Sequence, residues 1–112
     1  MACKTRGDQP VPRIAIIVEF TPKPGCYDKF HAHISAHAKA TLAEEPGCLS
    51  FDVMHKLTDD GVPDGKTVML VEIYKDMDAV KAHRANPRMP IVGAGSAPLL
   101  DGRKLSLCEM AD

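Results

Sequence analysis

Three residues whose side chains can carry acid–base chemistry lie close together in the sequence: Glu72, Tyr74 and His83. Glu72 and Tyr74 occupy alternate positions, so an extended strand would direct both side chains to the same face. Met77, Val80 and His83 recur at intervals of three, so a helix would place them on one shared face. The spacing predicts that a carboxylate, a phenol and an imidazole lie inward near one strand-to-helix junction. Histidine suits the role of general base, because its pKa lies near neutral pH.

The stretch that would position these groups, residues 67–83 (TVMLVEIYKDMDAVKAH), has the composition of a strand followed by a helix. Its first half is rich in aliphatic and β-branched residues, which favour strands. Asp76 is placed to cap the helix, and Asp78 suits the positive end of the helix dipole. Asn86-Pro87 predicts the end of this helix, because the residue before a proline avoids the helical conformation.

The other predicted elements follow from hydrophobic periodicity and turn residues. Residues 13–20 (RIAIIVEF) form a strand that is apolar on both faces, as is usual for a strand covered on both sides. A helix from Cys26 to Glu44 follows, with His37 inside its apolar stripe. That stripe consists of Tyr27, Phe30, Ile34, Ala38 and Thr41. The remaining predictions are a strand at 48–57, a hairpin linker at 58–66, mainly loop at 88–102, and a last strand at 103–110.

The order of these elements, β-α-β-β-α-β, is the split βαβ arrangement. It predicts an α+β fold in which a four-stranded antiparallel sheet carries both helices on one face. Because the first strand is apolar on both sides, the other face of the sheet should also be covered. A symmetric homodimer, sheet against sheet, satisfies this requirement.

Length and composition indicate one globular domain. The chain has 112 residues, of which 45% are hydrophobic and 26% are charged. We predict a flexible N-terminal arm at 1–12, which contains Pro10 and Pro12, and a single domain at 13–112. The formal net charge is -1 and no cluster of Lys and Arg stands out. This balance argues against nucleic acid or an anionic membrane surface as the main partner.

Other features of the composition concern location. No apolar run is long enough to predict a membrane span, and the N-terminal sequence lacks the apolar middle of a secretory signal. The cysteines are scattered without a CxxC pair, which favours a reduced, cytoplasmic protein. Cys48 and Cys108 fall in or beside apolar runs and are predicted to be small core residues.

The segment HAHISAH, with His31, His33 and His37, raises the question of a metal site. His33 and His37 are one helical turn apart and could bind one ion. No His, Cys or Glu group supplies an obvious third and fourth ligand, and there is no HExxH motif, so we predict no metal. His55, near the end of its strand, is predicted to be exposed.

Taken together, several motifs resemble the antibiotic biosynthesis monooxygenase domain, and within it the quinol monooxygenases. They are PxPG after the first strand, EEPGCLSF at the end of the first helix, the run VMLVEIYKDMDAVKAH, and the following NPRM. The resemblance covers about residues 13–90. It implies a ferredoxin-like fold and a homodimer whose two sheets form an α+β barrel. It also implies oxidation of a small phenolic, quinol or polyketide-like aromatic substrate by molecular oxygen, without flavin, haem or metal.

The resemblance places the site between the sheet and the helices, with Glu72, Tyr74 and His83 at the matching positions. A base that removes a phenolic proton would help, because an electron-rich anion gives up one electron to oxygen more readily. We predict His83 as the leading base and His37 as a second candidate. Tyr74 would orient the substrate hydroxyl, and Glu72 would fix a histidine tautomer or, alternatively, pair with Lys or Arg across the dimer. The predicted apolar lining consists of Phe20, Phe30, Ile34, Phe51 and Leu70.

Two other functions stay open at this point, because a fold alone does not establish chemistry. One is an isomerase that uses the same histidines as acid and base, and the other is a binding or stress-associated dimer without chemistry. Haem-degrading enzymes of this fold rely on an Asn in the first strand, a Trp, and a His after the second helix. This chain has Val18 at the first of these positions, no Trp, and no His after His83, which argues against haem.

Overall fold

The computed structural model describes residues 11–111. The predicted arm at 1–12 therefore lies almost entirely outside the described residues. The strands are β1 (Ile14–Pro22), β2 (Cys48–Leu57), β3 (Pro63–Tyr74) and β4 (Leu100–Glu109), and the helices are α1 (Tyr27–Glu44), α2 (Met77–Ala85) and α3 (Arg88–Ser96). A short 3₁₀ turn (Ala97–Leu99) leads from α3 into β4. No helix in this part of the chain is long and apolar enough to cross a membrane.

The four strands form one antiparallel sheet in the order β2-β3-β1-β4. β1 and β3 lie at the centre, where Ile16 pairs with Glu72 and Val18 pairs with Leu70. The helices cover one face of the sheet. This arrangement confirms the predicted ferredoxin-like α+β fold, and it places Glu72 at the middle of the helix-covered face.

The core lies between this face and the helices. α1 directs its predicted stripe inward, so that Phe30, Ile34, Ala38 and Thr41 are buried, together with His37. α2 begins where expected, because the Asp76 side chain accepts the N–H of Ala79 at 2.8 Å. That start turns Val80 and His83 toward the core, and both are buried. The largest side chains with essentially no exposure are Tyr74, Phe30, Val68, Val80 and Thr41.

Alternation along the strands directs Ile17, Met69, Val71 and Ile73 to the opposite face of the sheet. These side chains are half-buried although no helix covers them. Met54, which pairs with Met69 at the β2 edge, is 38% exposed. The central strands therefore present an apolar strip on the uncovered face of the monomer.

Residues 88–102 were predicted to be mainly loop, and this prediction was wrong. Most of the segment is helix α3, which begins directly after α2. The side-chain oxygen of Asn86 accepts the N–H of Arg88 at 2.9 Å, which satisfies one of the free N–H groups at the start of the helix. Pro90 lies in its first turn, where the missing N–H has no intrahelical partner in any case. The glycine-rich composition hid a helix that is stabilised mainly by contacts with α1.

β3 starts at Pro63, four residues earlier than residue 67, where the sequence pattern placed it. The polar stretch misled the prediction, because this extension of the hairpin lies outside the core. Gly61 adopts a positive φ of 80° and closes the turn, and Asp64 accepts the N–H groups of Lys66 and Thr67. Pro63 fits the first position of a strand, where no ladder hydrogen bond is lost.

Candidate active site

A cavity of about 450 Å³ lies between the helix-covered face of the sheet and the three helices. Its walls are mainly aliphatic and aromatic. The apolar side chains that line it are Ile16, Val18, Phe20, Ile34, Leu70, Met89, Val92, Leu100 and Leu105. A pocket of this size and lining can hold a ligand of one or a few rings.

Three buried side chains that can carry acid–base chemistry line the same cavity, each supplied by a different element: His37 from α1, Glu72 from β3 and His83 from α2. His37 is 6% exposed, Glu72 5% and His83 3%. Arg84 and Arg103 are exposed and line the cavity at its solvent side. The cavity is thus apolar, with one group of acid–base residues in its depth.

His83 lies between two carboxylates. Its Nδ1 is 2.9 Å and 3.1 Å from the two carboxylate oxygens of Glu45, and its Nε2 is 3.7 Å from Oε1 of Glu72. Glu45 is an acceptor at Nδ1, so that ring nitrogen carries a proton. The position of the second proton then decides whether Nε2 or the Glu72 carboxyl is the basic group in the cavity.

Glu72 is held from one side by the Tyr74 hydroxyl, which donates to Oε1 at 2.7 Å. Burial raises the pKa of Glu72 from 4.5 to about 7, the nearby Glu45 carboxylate adds to the rise, and the Tyr74 hydroxyl opposes it. Glu72 can therefore gain or lose a proton near neutral pH. Burial and the Glu72 carboxyl raise the pKa of Tyr74 well above its ordinary value, so the phenol stays a donor.

Arg88, at the start of α3, organises the other side of the site. Its Nη2 donates to Glu45 at 2.8 Å and to the Thr41 hydroxyl at 3.1 Å. Its Nη1 pairs with Glu44, and its Nε donates to Nδ1 of His37 at 3.4 Å. One guanidinium thus fixes the carboxylate that orients His83 and also contacts the second cavity histidine.

The contact with Arg88 defines the protonation of His37. Arg88 is always protonated, so Nδ1 of His37 must accept, and the remaining ring proton lies on Nε2. Burial, together with the unfavourable interactions of a protonated ring with His83, Arg88 and His33, lowers the pKa of His37 from 6.5 to about 4. His37 is therefore a neutral ring that presents an N–H at neutral pH.

α3 forms one wall of the cavity through Met89, Val92, Gly93 and Ser96. Nε2 of His33 lies 3.0 Å from the Val92 carbonyl and 3.1 Å from the Ser96 hydroxyl. Gly95 packs on the same ring, because a Cβ at this position would lie 2.6 Å from Cε1 of His33. Arg88 at one end and His33 at the other therefore anchor this wall to α1.

Of the predicted site residues, His37, Glu72 and His83 line the cavity, as do Phe20, Ile34 and Leu70. Tyr74, Phe30 and Phe51 do not line it; all three are buried in the core. Tyr74 therefore reaches a ligand only through Glu72. Glu45 orients His83 at Nδ1, a role that the sequence interpretation gave to Glu72.

The sequence interpretation missed Glu45 and Arg88 as parts of the site. Both lie within motifs that carried the family resemblance, EEPGCLSF and NPRM, so a signal was present. What was missing was the knowledge that α3 is a helix, because only then does Arg88 come back onto α1.

The remaining histidines lie elsewhere. His55 is exposed, as predicted, and its Nδ1 is 2.5 Å from the Tyr27 hydroxyl, while its ring stacks on His31 with centroids 4.6 Å apart. His33 and His37 contact different partners. Within residues 11–111, no group of three or more His, Cys, Asp or Glu side chains is arranged to hold a metal ion.

The chain is thus a ferredoxin-like α+β protein with a buried acid–base group at a cavity between its sheet and its helices. The model of the antibiotic biosynthesis monooxygenase family matches residues 13–89, and the chain belongs to this family. A comparison with curated protein sequences gave no match.

Solved structures support the fold assignment. PA3566 from Pseudomonas aeruginosa is 18% identical, with a TM-score of 0.79, and the match covers 93% of this chain and 99% of that one. Rv0793 from Mycobacterium tuberculosis is 26% identical, with a TM-score of 0.74 and coverage of 89% and 96%. A variant of SnoaB, a cofactor-independent oxygenase from Streptomyces nogalater, is 17% identical, with a TM-score of 0.75 and coverage of 91% and 96%.

Proposed function

We propose that the protein is a cofactor-independent monooxygenase that oxidises a small phenolic, quinol or polyketide-like aromatic substrate with molecular oxygen. The observation that carries this proposal is the Glu72–His83 pair, which borders a mainly apolar cavity. Membership of the monooxygenase family and the shared fold with SnoaB support it.

In the proposed reaction the Glu72–His83 pair takes the proton of a substrate hydroxyl. The resulting anion transfers one electron to oxygen, and the two radicals combine into a peroxide on the ring carbon. The peroxide then loses water, so one oxygen atom stays on the product and the other leaves. For a hydroquinone the balanced outcome is a hydroxyquinone and water, and the substrate supplies all the electrons.

Each part of the site has a role in this scheme. Glu45 holds the His83 ring by its Nδ1 proton, which keeps Nε2 directed at Glu72. Tyr74 stabilises the ionised form of Glu72 from within the core. The apolar walls exclude water, which favours the reaction of the anion with oxygen over its reprotonation.

The test is oxygen uptake by the metal-free protein with a panel of hydroquinones and other phenols. We expect wild-type uptake with at least one compound, and a loss of at least about a hundredfold in His83→Ala and Glu72→Gln, the usual contribution of a general base. The control is Lys39→Gln, which removes an exposed charge from the outer side of α1. Activity that survives in both site variants would contradict the assignment, and turnover without oxygen would favour an isomerase.

We also propose that the protein is a homodimer in which the uncovered sheet faces of two copies pack together. The support is the apolar character of that face, which includes Ile17, Val71 and Ile73. The cavity lies on the helix-covered face, so each copy would carry its own site.

A further inference from the structure

The cavity holds a second functional group besides the Glu72–His83 pair. His37 faces the same space from α1, and its ring centroid is 5.5 Å from that of His83. The two rings are therefore close enough to act on one ligand atom or on two neighbouring atoms, and their hydrogen-bonding partners differ.

The Arg88 guanidinium determines which ring nitrogen of His37 carries the proton. All three of its nitrogens donate to α1 or to the turn after it, and the Nε–H is directed at Nδ1 of His37. Because a guanidinium cannot accept, Nδ1 holds a lone pair and Nε2 holds the proton. A ring in this state has no free lone pair for a substrate proton, so His37 is a donor and not a base.

Among residues 11–111, the Nε2–H of His37 has no hydrogen-bond partner. Every fully buried side-chain nitrogen or oxygen in the described part of the chain does have one, so Nε2 must border open space. His37 is 6% exposed and lines the cavity, so the open space is the cavity. The second carboxyl oxygen of Glu72, Oε2, likewise makes no hydrogen bond or ion pair with the part of the chain that the structure describes.

We infer that His37 is a catalytic hydrogen-bond donor that holds the oxyanion of the substrate, and that Arg88 is the positioning residue that fixes it in this role. The Glu72–His83 pair removes the proton of a substrate hydroxyl, and the oxygen that becomes negative accepts from Nε2–H of His37. The inference rests on the proposed function for its substrate class, a neutral phenol that ionises inside the site. It assigns acid–base work and oxyanion binding to different residues.

The charge distribution agrees with this division. A neutral N–H donor stabilises a phenolate without placing a permanent positive charge in the cavity, and Arg88 polarises the ring from behind. The Arg88 charge is already paired with Glu44 and Glu45, so it does not itself attract the anion.

The experiment compares two probes of nearly the same shape, 4-nitrophenol and nitrobenzene, which differ only in the hydroxyl. The ratio of their dissociation constants, nitrobenzene over 4-nitrophenol, measures how much the hydroxyl oxygen contributes to binding. The absorbance of the nitrophenolate shows whether the bound probe is ionised. A merely structural disturbance of the cavity would weaken both probes and leave the ratio unchanged. Binding needs no oxygen, so the outcome is independent of whether the protein is an oxygenase.

We expect wild-type protein to prefer 4-nitrophenol and to bind it as the phenolate. Arg88→Lys keeps the charge but loses the Nε–H, and His37→Leu loses the donor. Both should lower the ratio about tenfold, the size of one hydrogen bond to a charged group. His37→Gln, whose amide keeps an N–H, should restore part of it, and Lys39→Gln on the outer side of α1 should match wild type.

Three outcomes would overturn the inference. The first is that wild-type protein binds neither probe, or binds both equally. The second is that the ratio is unchanged in Arg88→Lys and His37→Leu. The third is that the ratio is equally low in His37→Gln and His37→Leu, although thermal unfolding shows both variants to be folded. Oxygen uptake that persists alongside an unchanged ratio would reject the oxyanion role and leave the proposed function intact.

Discussion

The Glu72 carboxyl is buried in the centre of the sheet, where its ionised form has few hydrogen-bond donors. In residues 11–111, the Tyr74 hydroxyl donates a hydrogen bond to it and the His83 ring lies 3.7 Å away. Burying an ionised carboxylate costs free energy unless it is well paired, so Glu72 does not contribute to the stability of the fold through packing. Its presence is better explained by chemistry than by stability, and its protonation makes this testable.

Replacing Glu72 by Gln should stabilise the protein at alkaline pH. The folded-state pKa of about 7 lies above the ordinary 4.5, so the folded state holds a proton that the unfolded chain has lost between these values. Wild-type stability therefore falls as pH rises from 4.5 to 7, and the full loss, up to about 3 kcal/mol, persists above. A glutamine resembles the protonated acid and cannot ionise, so the variant avoids this loss of stability.

Urea unfolding of wild type and Glu72→Gln at pH 5 and pH 8 measures this difference. We expect the variant to gain relative to wild type at pH 8 and to be similar at pH 5. Asp60→Asn, at an exposed carboxylate in the turn between β2 and β3, is the control for the loss of a surface charge and should follow the wild-type profile. Parallel pH profiles for wild type and Glu72→Gln would show that the folded state does not raise the pKa of Glu72.

For His37 the pH dependence of stability should have the opposite sign, and it should appear at acidic pH. Its folded pKa of about 4 lies below the ordinary 6.5, because burial and the charges of His83, Arg88 and His33 oppose protonation. Between these values the unfolded chain binds a proton that the folded state does not, so stability falls as pH drops from 6.5 to 4. His37→Gln should flatten this part of the profile by about 2–3 kcal/mol.

The measurement is the free energy of unfolding at pH 6.5 and pH 4 for wild type and His37→Gln. His55→Gln, an exposed histidine on β2, serves as the control. A variant that loses as much stability as wild type over this interval would mean that the His37 ring accepts a proton in the folded protein.

At the scale of elements, α3 connects the fold to the site. It supplies Arg88 to the acid–base network and a wall to the cavity, yet its intrinsic helix propensity is low. Gly93 and Gly95 each weaken a helix by roughly 1 kcal/mol relative to Ala. Contacts between α3 and α1 offset this cost. Substitutions at the two glycines can therefore separate the effect of helix propensity on stability from the effect of packing against α1.

Gly95→Ala should destabilise the protein and weaken ligand binding, whereas Gly93→Ala should not destabilise it. A Cβ at Gly95 would lie 2.6 Å from the His33 ring, and that ring is held by Val92 and Ser96. We expect a loss of about 1–3 kcal/mol, as for other overpacked sites. A Cβ at Gly93 meets no atom within 4 Å, so Ala there should add about 0.5–1 kcal/mol.

Thermal unfolding of both variants, together with nitrobenzene binding, tests the pair. Gly95→Ala should melt lower and bind the probe more weakly, while Gly93→Ala should melt at the wild-type temperature or higher. Equal effects from the two substitutions would mean that α3 is not seated on His33.

α3 also marks the limit of what the sequence could predict. The strands and the first two helices follow periodicity, because each buries a regular apolar face, and Glu72, His37 and His83 follow from those faces. α3 is held by side-chain contacts of Arg88 and His33 with residues distant in the sequence, and no local pattern encodes them. Predictions for Tyr74 and Phe51 depended on which buried residues border empty space, which periodicity does not specify.

At the scale of the whole molecule, the monomer is thin. Its extents are 54 × 38 × 21 Å, and its radius of gyration of 16.0 Å exceeds the roughly 13 Å of a compact chain of this length. The short dimension holds one helix layer and one sheet. A second layer on the uncovered sheet face would complete the burial of its central strands.

Val71→Lys should convert a dimer into a folded monomer. Val71 lies on β3 at the centre of the uncovered face, paired with Ile17 on one side and Asp52 on the other. A lysine there points away from the helices and leaves the core and the cavity intact. In a sheet-to-sheet interface, however, its ammonium would be taken out of water, and the neighbouring Asp52 carboxylate would offset only part of a desolvation cost of several kcal/mol per copy.

Sedimentation equilibrium at micromolar concentrations distinguishes the states. Wild type should have twice the 12.1 kDa mass of one chain, and Val71→Lys should have the single mass with unchanged far-ultraviolet circular dichroism. Leu42→Lys, at an exposed leucine on α1, adds the same charge on the helix side and should remain dimeric. Since the cavity lies on the other face of the sheet, Val71→Lys should keep 4-nitrophenol binding. A monomeric wild type, or a dimer that survives in Val71→Lys, would place the interface elsewhere.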